Sequence, residues 1–387
     1  MATAGCGQTL GPREPGFAGA ARPAAAQKIR HIVVVIQENR SYDNFFATFP
    51  GGTGSTYGRT SGGETVPLTK VPLAGGSDPL HNHDTFVLEY DSGKMDGFDL
   101  AKFGKPQSSP YAAYEYVDPA QIAPYWTLAK RYVLADKLFA TQSSGSFTAH
   151  QDLIAGDTLV GAQTSVIDYP SMRPWGCDAP PGTVTSTISP KGISKFTGPF
   201  PCFSYDTLAD LLERRHLPWR IYSPTVVPPR GGDLWNPFEA IDEVRHGAQW
   251  TKNVRSPETT IFRDVADGKL AAVTWVIPDH QNSDHPGSPI DTGPSWVAGI
   301  VDAIGESKFW NSTAIVILWD DWGGFYDNAV PPQVDYQGLG FRVPMIVVSP
   351  YAKAGVVSHT QYEFGSILRF AEDTFSLGRL GTTDVRA

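Results

Sequence analysis

The chain has 387 residues, of which 41% are hydrophobic and 12% aromatic, so it can bury a large core and is not an intrinsically disordered chain. Its net charge is −9 and its Lys and Arg residues do not cluster, which argues against a nucleic-acid partner. The apolar runs are all too short to predict a transmembrane segment. Residues 1–27 are predicted to be a flexible lead-in, and residues 28–387 a single domain.

The predicted strands are short apolar runs without alternation, which is typical of strands buried on both faces. They are residues 32–36, 132–135, 271–277, 314–318 and 343–348. Helical patterns lie between them at 120–131, 207–215, 259–267, 295–306 and 363–377, and Thr207 and Ser295 are expected to be N-caps. This alternation predicts an α/β fold with a central, mostly parallel sheet that has helices on both faces.

Four segments rich in Gly and Pro interrupt this pattern: residues 51–80, 169–203, 223–236 and 279–294. We expect long loops here that form walls over an active site. Cys177 and Cys202 lie in the second loop, where a disulfide would stabilise the fold by roughly 3 kcal/mol. The alternative is a pair of reduced cysteines. A disulfide indicates an oxidising compartment, and hence a secreted or periplasmic protein.

Polar side chains follow two of the predicted strands. Glu38 and Asn39 come after the first strand, and Asp320 and Asp321 after the fourth. The carboxyl ends of parallel strands meet at one edge of a sheet, and adjacent carboxylates repel one another unless a cation lies between them. The pattern therefore predicts a site for one divalent metal ion. The alternative is that these acids are solvated residues of turns.

A flexible run precedes an apparent helix start in SSGSFTAHQ, residues 143–151. The amide groups at a helix N-terminus stabilise anions, so the hydroxyl of Ser146 could react with a phosphoryl group there and could also contact the metal. The alternative from spacing alone is that Ser146 is an N-cap. His81, His83 and His285 are candidates for proton transfer to a leaving oxygen, and the alternative for each is a loop histidine with a satisfied hydrogen bond.

The motifs of other enzyme classes are missing: the sequence has no GxSxG, P-loop, HExxH, CxxC or GxGxxG. Ordered segments instead resemble the bacterial phosphoesterase family of acid phosphatases and non-haemolytic phospholipases C, in the alkaline phosphatase superfamily. The matching segments are ENRSYDNFF, GKMDGF, YWTLAKRYVLADKLF, SGSFTAHQ, SDHP, WDDWGGFYDNAVPP and GFRVPMIVVSPYA.

The resemblance implies an alkaline-phosphatase-like fold and a role for each candidate residue. Ser146 falls at the position of the nucleophile and also of a metal ligand, and His285 with one of His81 and His83 would contact the phosphoryl group and the leaving oxygen. The remaining metal ligands would be Glu38, Asn39, Asp320 and Asp321. Ca²⁺, Mg²⁺ or Mn²⁺ is favoured for such oxygen ligands, and Zn²⁺ or Fe is possible.

The chain also departs from the phospholipase-like members of the family. They carry Pro-Asn-Arg after the nucleophile, where this chain has Thr148, Ala149 and His150, and they tend to have Asp-Glu where it has Asp320-Asp321. The sequence thus favours a phosphomonoesterase of the acid phosphatase type with a phosphoserine intermediate.

Two alternatives remain at this point. One is a phospholipase C for phosphatidylcholine-type diesters, in which Trp175, Tyr222, Trp235 and Trp250 could seat a quaternary ammonium group. The other is a metal-stabilised binding protein without activity. The partner is thus expected to be a small phosphate ester or a phospholipid head group.

Overall fold

A computed structural model describes residues 28–105, 107, 109–225 and 235–387. The predicted lead-in at 1–27 lies outside the described residues, as do residues 226–234 of the third predicted loop. No helix in the described part of the chain is long and apolar enough to cross a membrane.

The structure contains one large sheet and several small ones. The strands are β1 (His31–Gln37), β2 (Tyr57–Arg59), β3 (Thr65–Pro67), β4 (Thr69–Val71), β5 (Glu115–Val117), β6 (Val133–Phe139), β7 (Leu159–Gly161), β8 (Thr164–Ile167), β9 (Ser186–Ser189), β10 (Gly192–Ser194), β11 (Trp219–Tyr222), β12 (Val254–Arg255), β13 (Val273–Val276), β14 (Thr313–Trp319), β15 (Arg342–Val348), β16 (Val356–Ser358) and β17 (Tyr362–Glu363).

The α-helices lie mainly between the strands of the large sheet. They are α1 (Tyr42–Phe46), α2 (His83–Tyr90), α3 (Ala123–Arg131), α4 (Ser146–Ala155), α5 (Leu208–Arg214), α6 (Asp242–Arg245), α7 (Ala248–Asn253), α8 (Thr260–Ala266), α9 (Gly293–Gly305) and α10 (Phe364–Phe375). Each of the five predicted helices and five predicted strands is present, with ends shifted by a few residues.

The large sheet has nine strands in the order β12-β11-β13-β1-β14-β15-β6-β16, with β17 also paired to β6. Its pairs are parallel except those that β15 makes with β14 and β6. Ile32 to Gln37 of β1 are all buried, and successive side chains of a strand point to opposite faces, so both faces of the sheet are covered. This confirms the predicted mostly parallel α/β sheet between helices.

Two local predictions have different outcomes. Thr207 is the N-cap of α5 and forms a capping box with Asp210, as expected. The prediction for Ser295 is wrong, because α9 begins earlier, at Gly293, with Thr292 at the N-cap position and Pro294 in the first turn. Pro is favoured there because it lacks the N–H that a first turn leaves unpaired.

The predicted disulfide between Cys177 and Cys202 is present, with the two Cα atoms 4.5 Å apart. It closes a segment that contributes β9 and β10 to a four-stranded antiparallel sheet. This small sheet lies outside the main core and has few large buried side chains of its own. The disulfide therefore adds stability to a region that has little hydrophobic packing.

Candidate active site at the carboxyl edge of the sheet

The four predicted acidic and amide ligands lie at the carboxyl ends of two neighbouring parallel strands. β1 and β14 pair in register up to their last residues, so the residues that follow each strand lie side by side. These are Glu38 and Asn39 after β1, and Asp320 and Asp321 after β14. All four side chains are fully buried. The fold therefore brings together two pairs of residues that lie about 280 residues apart in the sequence.

The backbone at both strand ends is shaped to make this approach possible. Asn39 has a φ of 59°, and its N–H donates to Asp320 Oδ1 at 2.9 Å. Gly323 has a φ of 63°, and a Cβ atom there would lie 2.1 Å from the carbonyl oxygen of Asn39. Only glycine can occupy such a position, so the GG pair after Asp321 allows the two chain segments to meet.

Ser146 lies opposite these strand ends, at the first position of α4. Gly145 occupies the N-cap position, so the N-cap interpretation of Ser146 is wrong. The Ser146 Oγ atom lies 3.1 Å from Asn39 Oδ1 and 3.2 Å from Asp321 Oδ2, and its proton can be donated to either. The unpaired N–H groups in the first turn of α4 favour negative charge beside this hydroxyl.

His150 is a site residue that the sequence analysis did not name as one. It lies one helical turn after Ser146 on α4, and its Nε2 is 2.8 Å from Glu38 Oε1 and 3.5 Å from Asp320 Oδ2. The imidazole is only 1% exposed, and its Nδ1 has no hydrogen-bond partner among the described residues. The spacing of four residues from Ser146 was the available signal, since positions i and i+4 share a helix face.

The electrostatics of the cluster follow from burial and from like charge. Burial raises the pKa of Glu38 to about 8, and the charge of Asp320 adds to the shift. The pKa of Asp321 is raised for the same two reasons. Burial is the largest single effect on His150 and disfavours its charge, but the charges of Glu38 and Asp320 and the hydrogen bonds to them together outweigh burial and raise the pKa of His150 to about 10. Three carboxyl groups thus face a single imidazole.

The side-chain amide of Asn39 lies against the acids. Its terminal atom that faces them is 3.0 Å from Asp320 Oδ1 and 3.2 Å from Glu38 Oε2, where an amide nitrogen donates to both carboxylates and an amide oxygen coordinates a bound cation. Carboxylate, amide and hydroxyl oxygens are the ligands of hard divalent ions. His150, Glu38 and Asp320 also present ligand atoms within 4.8 Å of one another.

Two of the three predicted histidines complete this network. The Nδ1 atoms of His81 and His285 lie 2.9 Å and 2.8 Å from the carbonyl oxygens of Pro79 and Pro286, so both Nδ1 atoms carry the proton. Both Nε2 atoms lie 3.0 Å from the same terminal atom of the Asn39 side-chain amide. Burial and the neighbouring His81 lower the pKa of His285 to about 3. The Asn39 amide therefore joins the two rings to the acidic cluster.

His83 lies elsewhere. It is in the first turn of α2, with Nδ1 2.8 Å from the carbonyl oxygen of Ser143, and its ring stacks on Phe86. The ring supports the segment before Ser146 and does not contact Ser146. Of the two alternatives His81 and His83, the structure therefore brings His81 to the site and not His83.

A cleft of about 350 Å³ opens over Ser146, His81 and His285. Its walls come from all four segments that were predicted as long loops, through Asp78, Tyr169, Trp235 and His280 among others. The expectation of loops over the site therefore holds for the described residues. Gly145 matters at the floor, because a Cβ atom there would lie 2.7 Å from the carbonyl oxygen of His81.

The four aromatic residues proposed for a quaternary ammonium site do not converge. Trp175 and Trp235 line the cleft. Tyr222 is buried in β11 and donates to Asp264, and Trp250 lies under the guanidinium of Arg245, at 4.7 Å from its ring centre. A cage built from all four is therefore wrong, since two of them already pack elsewhere.

Fold and site together define a class: an α/β enzyme that brings a serine hydroxyl, buried acids and two histidines to one cleft. The chain belongs to the Phosphoesterase family, whose model matches residues 29–378. It is therefore a phosphoric ester hydrolase. The family membership confirms the class of enzyme expected from the motifs around Glu38, Ser146 and Asp320.

Curated relatives have the same chemistry in their names. The chain is 25% identical to phospholipase C B of Mycobacterium tuberculosis, over 92% of this chain and 75% of that protein. It is 23% identical to the non-hemolytic phospholipase C of Pseudomonas aeruginosa, over 90% of this chain and 54% of that protein. A solved protein of the alkaline phosphatase superfamily from Vibrio parahaemolyticus matches 95% of this chain and 72% of its own, with 11% identity and a TM-score of 0.45.

Proposed function

We propose that this enzyme hydrolyses phosphate monoesters with Ser146 as the nucleophile. One observation carries the proposal: the Ser146 hydroxyl lies at the start of α4, on the cleft, within 3.2 Å of Asp321 and 3.1 Å of Asn39. A serine buried in a core for packing alone would not combine a helix N-terminus, two acceptor partners and an open cleft.

One divalent metal ion would be held by Glu38, Asn39, Asp320 and Asp321, with the Ser146 hydroxyl beside it. When bound, such an ion lowers the pKa of a coordinated hydroxyl and neutralises charge on phosphoryl oxygens. His150 supports this set by donating from Nε2 to Glu38, which fixes the carboxylate that it contacts. The ligand chemistry favours Ca²⁺, Mg²⁺ or Mn²⁺, and the nearby imidazole keeps Zn²⁺ or Fe in the set.

The reaction takes two displacements. Ser146 gives its hydroxyl proton to water, and its oxygen forms a bond to phosphorus as the bond to the leaving oxygen breaks. The leaving oxygen takes a proton from Nε2 of His81 in its doubly protonated form, since the low pKa of His285 leaves that ring without a proton to give. Water then attacks the phosphoserine and gives a proton to His81, and the Ser146 oxygen leaves phosphorus and regains a proton from water as phosphate is released. The amides in the first turn of α4 stabilise negative charge in both steps.

The first test is hydrolysis of nitrophenyl phosphate by the Ser146→Ala variant. We expect kcat to fall at least about a thousandfold, because the variant lacks the attacking atom. Ser144→Ala is the matched control, since Ser144 belongs to the same run but its hydroxyl lies 3.3 Å from Asp168. Retained activity in Ser146→Ala would refute the nucleophile. Acid quenching of the wild type should also leave phosphate on the peptide that contains Ser146.

The second candidate is a phospholipase C, which the names of the relatives and the aromatic lining by Trp175 and Trp235 favour. The discriminating substrate is nitrophenyl phosphorylcholine. A higher kcat/KM for this diester than for nitrophenyl phosphate would replace the monoesterase proposal. The disulfide supports a secreted or periplasmic location, and the family match supports one catalytic domain over 28–387.

A further inference from the structure

Arg173 lies on the wall of the cleft and is connected to the nucleophile through two aromatic rings. Phe147 follows Ser146 on α4, and its ring meets the Trp175 ring edge to face at 5.7 Å. The Arg173 guanidinium lies 5.1 Å from the centre of the Trp175 ring. Arg173, Trp175 and Ser146 line the same cleft. The cation therefore lies in the same cleft as Ser146 and is separated from it by two aromatic rings.

The Arg173 guanidinium has no acidic partner among the described residues, where its one recorded contact is with the Trp175 ring. Two other arginines, Arg245 and Arg379, differ. Arg245 pairs with Asp178 and Glu239, although it too lies over a tryptophan ring. Arg379 likewise pairs with two acids, Glu372 and Asp373. An unpaired guanidinium held on an aromatic face in an active-site cleft has its five donors available to a ligand.

We propose that Arg173 forms a subsite for a second anionic group on the leaving-group side of the substrate. This inference rests on the proposed phosphomonoesterase function and adds the class of substrate to it: phosphate esters whose alcohol carries a carboxylate or another phosphate. Such a group accepts two parallel hydrogen bonds from a guanidinium. Because the Trp175 ring already restricts the orientation of the guanidinium, Arg173 loses less conformational entropy when the group binds.

The same geometry disfavours a quaternary ammonium group in this position. The Trp175 ring already carries a cation, and a second positive charge beside Arg173 would be repelled. Asp78 is the one carboxylate among the described residues that line the cleft outside the acidic cluster. Burial raises the pKa of Asp78, and the nearby charge of Arg40 opposes that shift. Arg173 is thus the arginine of the cleft lining, within the described residues, that has no acidic partner.

The test compares two phenyl phosphates that differ in one charge: 4-carboxyphenyl phosphate and 4-carbamoylphenyl phosphate. We expect the wild type to prefer the carboxylate, and Arg173→Gln to lose roughly 10- to 100-fold in kcat/KM for it, the factor that one charged hydrogen bond supplies. The amide substrate should change less than about threefold, because it has no charge for Arg173 to pair with. Arg173→Lys should fall between the two enzymes.

Arg131→Gln is the matched control, since Arg131 also lies over an aromatic ring, that of Tyr132 at 5.7 Å, but at the end of α3 away from the cleft. Equal losses on both substrates would overturn the subsite and assign Arg173 to the scissile phosphoryl group. A wild type without preference would also overturn it. If the enzyme hydrolyses neither substrate, the phosphomonoesterase proposal fails instead, so the two failures are distinguishable.

Discussion

Two of the groups of buried acids in the described part of the chain are neutralised in different ways. In the first, Glu38, Asp320 and Asp321 face His150 beside the cleft. In the second, Asp43 and Asp327 meet the guanidinium of Arg342, with Nε 3.0 Å from Asp327 and a terminal nitrogen 3.2 Å from Asp43. Every residue of both groups is at most 1% exposed.

The difference lies in the source of the positive charge. Arg342 also donates to Thr53, Asn328 and the carbonyl oxygen of Asp136, so the second group is complete within the chain. The first group has no Lys or Arg in its recorded contacts. Acids that pair with an arginine of the chain have a structural role. A group of three acids and one imidazole beside an open cleft is instead suited to binding a metal ion from solution.

The largest effect should come from replacing Arg342, the cation of the second group. Arg342→Met leaves two buried carboxylates without a partner, and we expect the free energy of unfolding to fall by about 3–5 kcal/mol in urea titration. The control is Arg214→Gln, which breaks an exposed pair with Asp206 and should cost at most about 1 kcal/mol. Equal effects of the two substitutions would contradict the distinction between buried and exposed pairs.

The metal ion proposed for the first group should be removable without unfolding the chain. After chelation, we expect activity to fall at least about 100-fold and then to return with added Mn²⁺, Ca²⁺ or Mg²⁺. Because the ion binds the folded state, saturation at 100 times its dissociation constant should add about 2.7 kcal/mol to the stability. Thermal unfolding with and without metal measures this. Full activity in a chain shown by elemental analysis to be metal-free would refute the metal site.

The same substitution should have opposite effects in the two groups. In the metal-free chain, Asp327→Asn removes a partner of Arg342 and should lower the free energy of unfolding by about 1–3 kcal/mol. Asp321→Asn removes one of three repelling carboxyls, so we expect it to raise stability by about 1 kcal/mol while metal binding is lost. Losses of similar size in both variants would show that Asp321 is a structural acid like Asp327.

The smallest predicted effect concerns His150. His150→Phe removes the donor to Glu38, and we expect metal affinity to fall about tenfold, measured by calorimetry, because oriented ligands bind better than free ones. His150→Gln keeps a donor and should recover part of the affinity. A variant pair with unchanged metal affinity would show that His150 only fills space in the core.

Much of the fold could be predicted because its signals are local. Unbroken apolar runs such as residues 32–36 mark strands buried on both faces, and the helices between them carry ordinary caps, as at Thr207. The start of α9 was missed because Pro294 and Gly293 look like the end of a loop, whereas Pro is also favoured in a first helical turn. The composition of β15 does not indicate that this strand is antiparallel to its neighbours.

The candidate site was predicted in part. Glu38, Asn39, Asp320 and Asp321 follow strands, and the ends of parallel strands meet by the rules of sheet topology, so their convergence could be expected. His150 and Arg173 were not found as site residues. The partners of His150 belong to β1 and β14, and Arg173 reaches the cleft only because the Trp175 ring packs on Phe147.

The sequence by itself determined the class of fold, the sheet edge at which the candidate site residues lie and the family, and it predicted the disulfide that the structure contains. These features depend on periodicity, on residues adjacent in the chain and on motifs, all of which are visible in the sequence. Only the tertiary structure decided that His81 and not His83 lines the cleft beside Ser146, that Tyr222 and Trp250 pack elsewhere, and which acids have an arginine as a partner. Such choices depend on which side chains meet across the fold, and packing sets them.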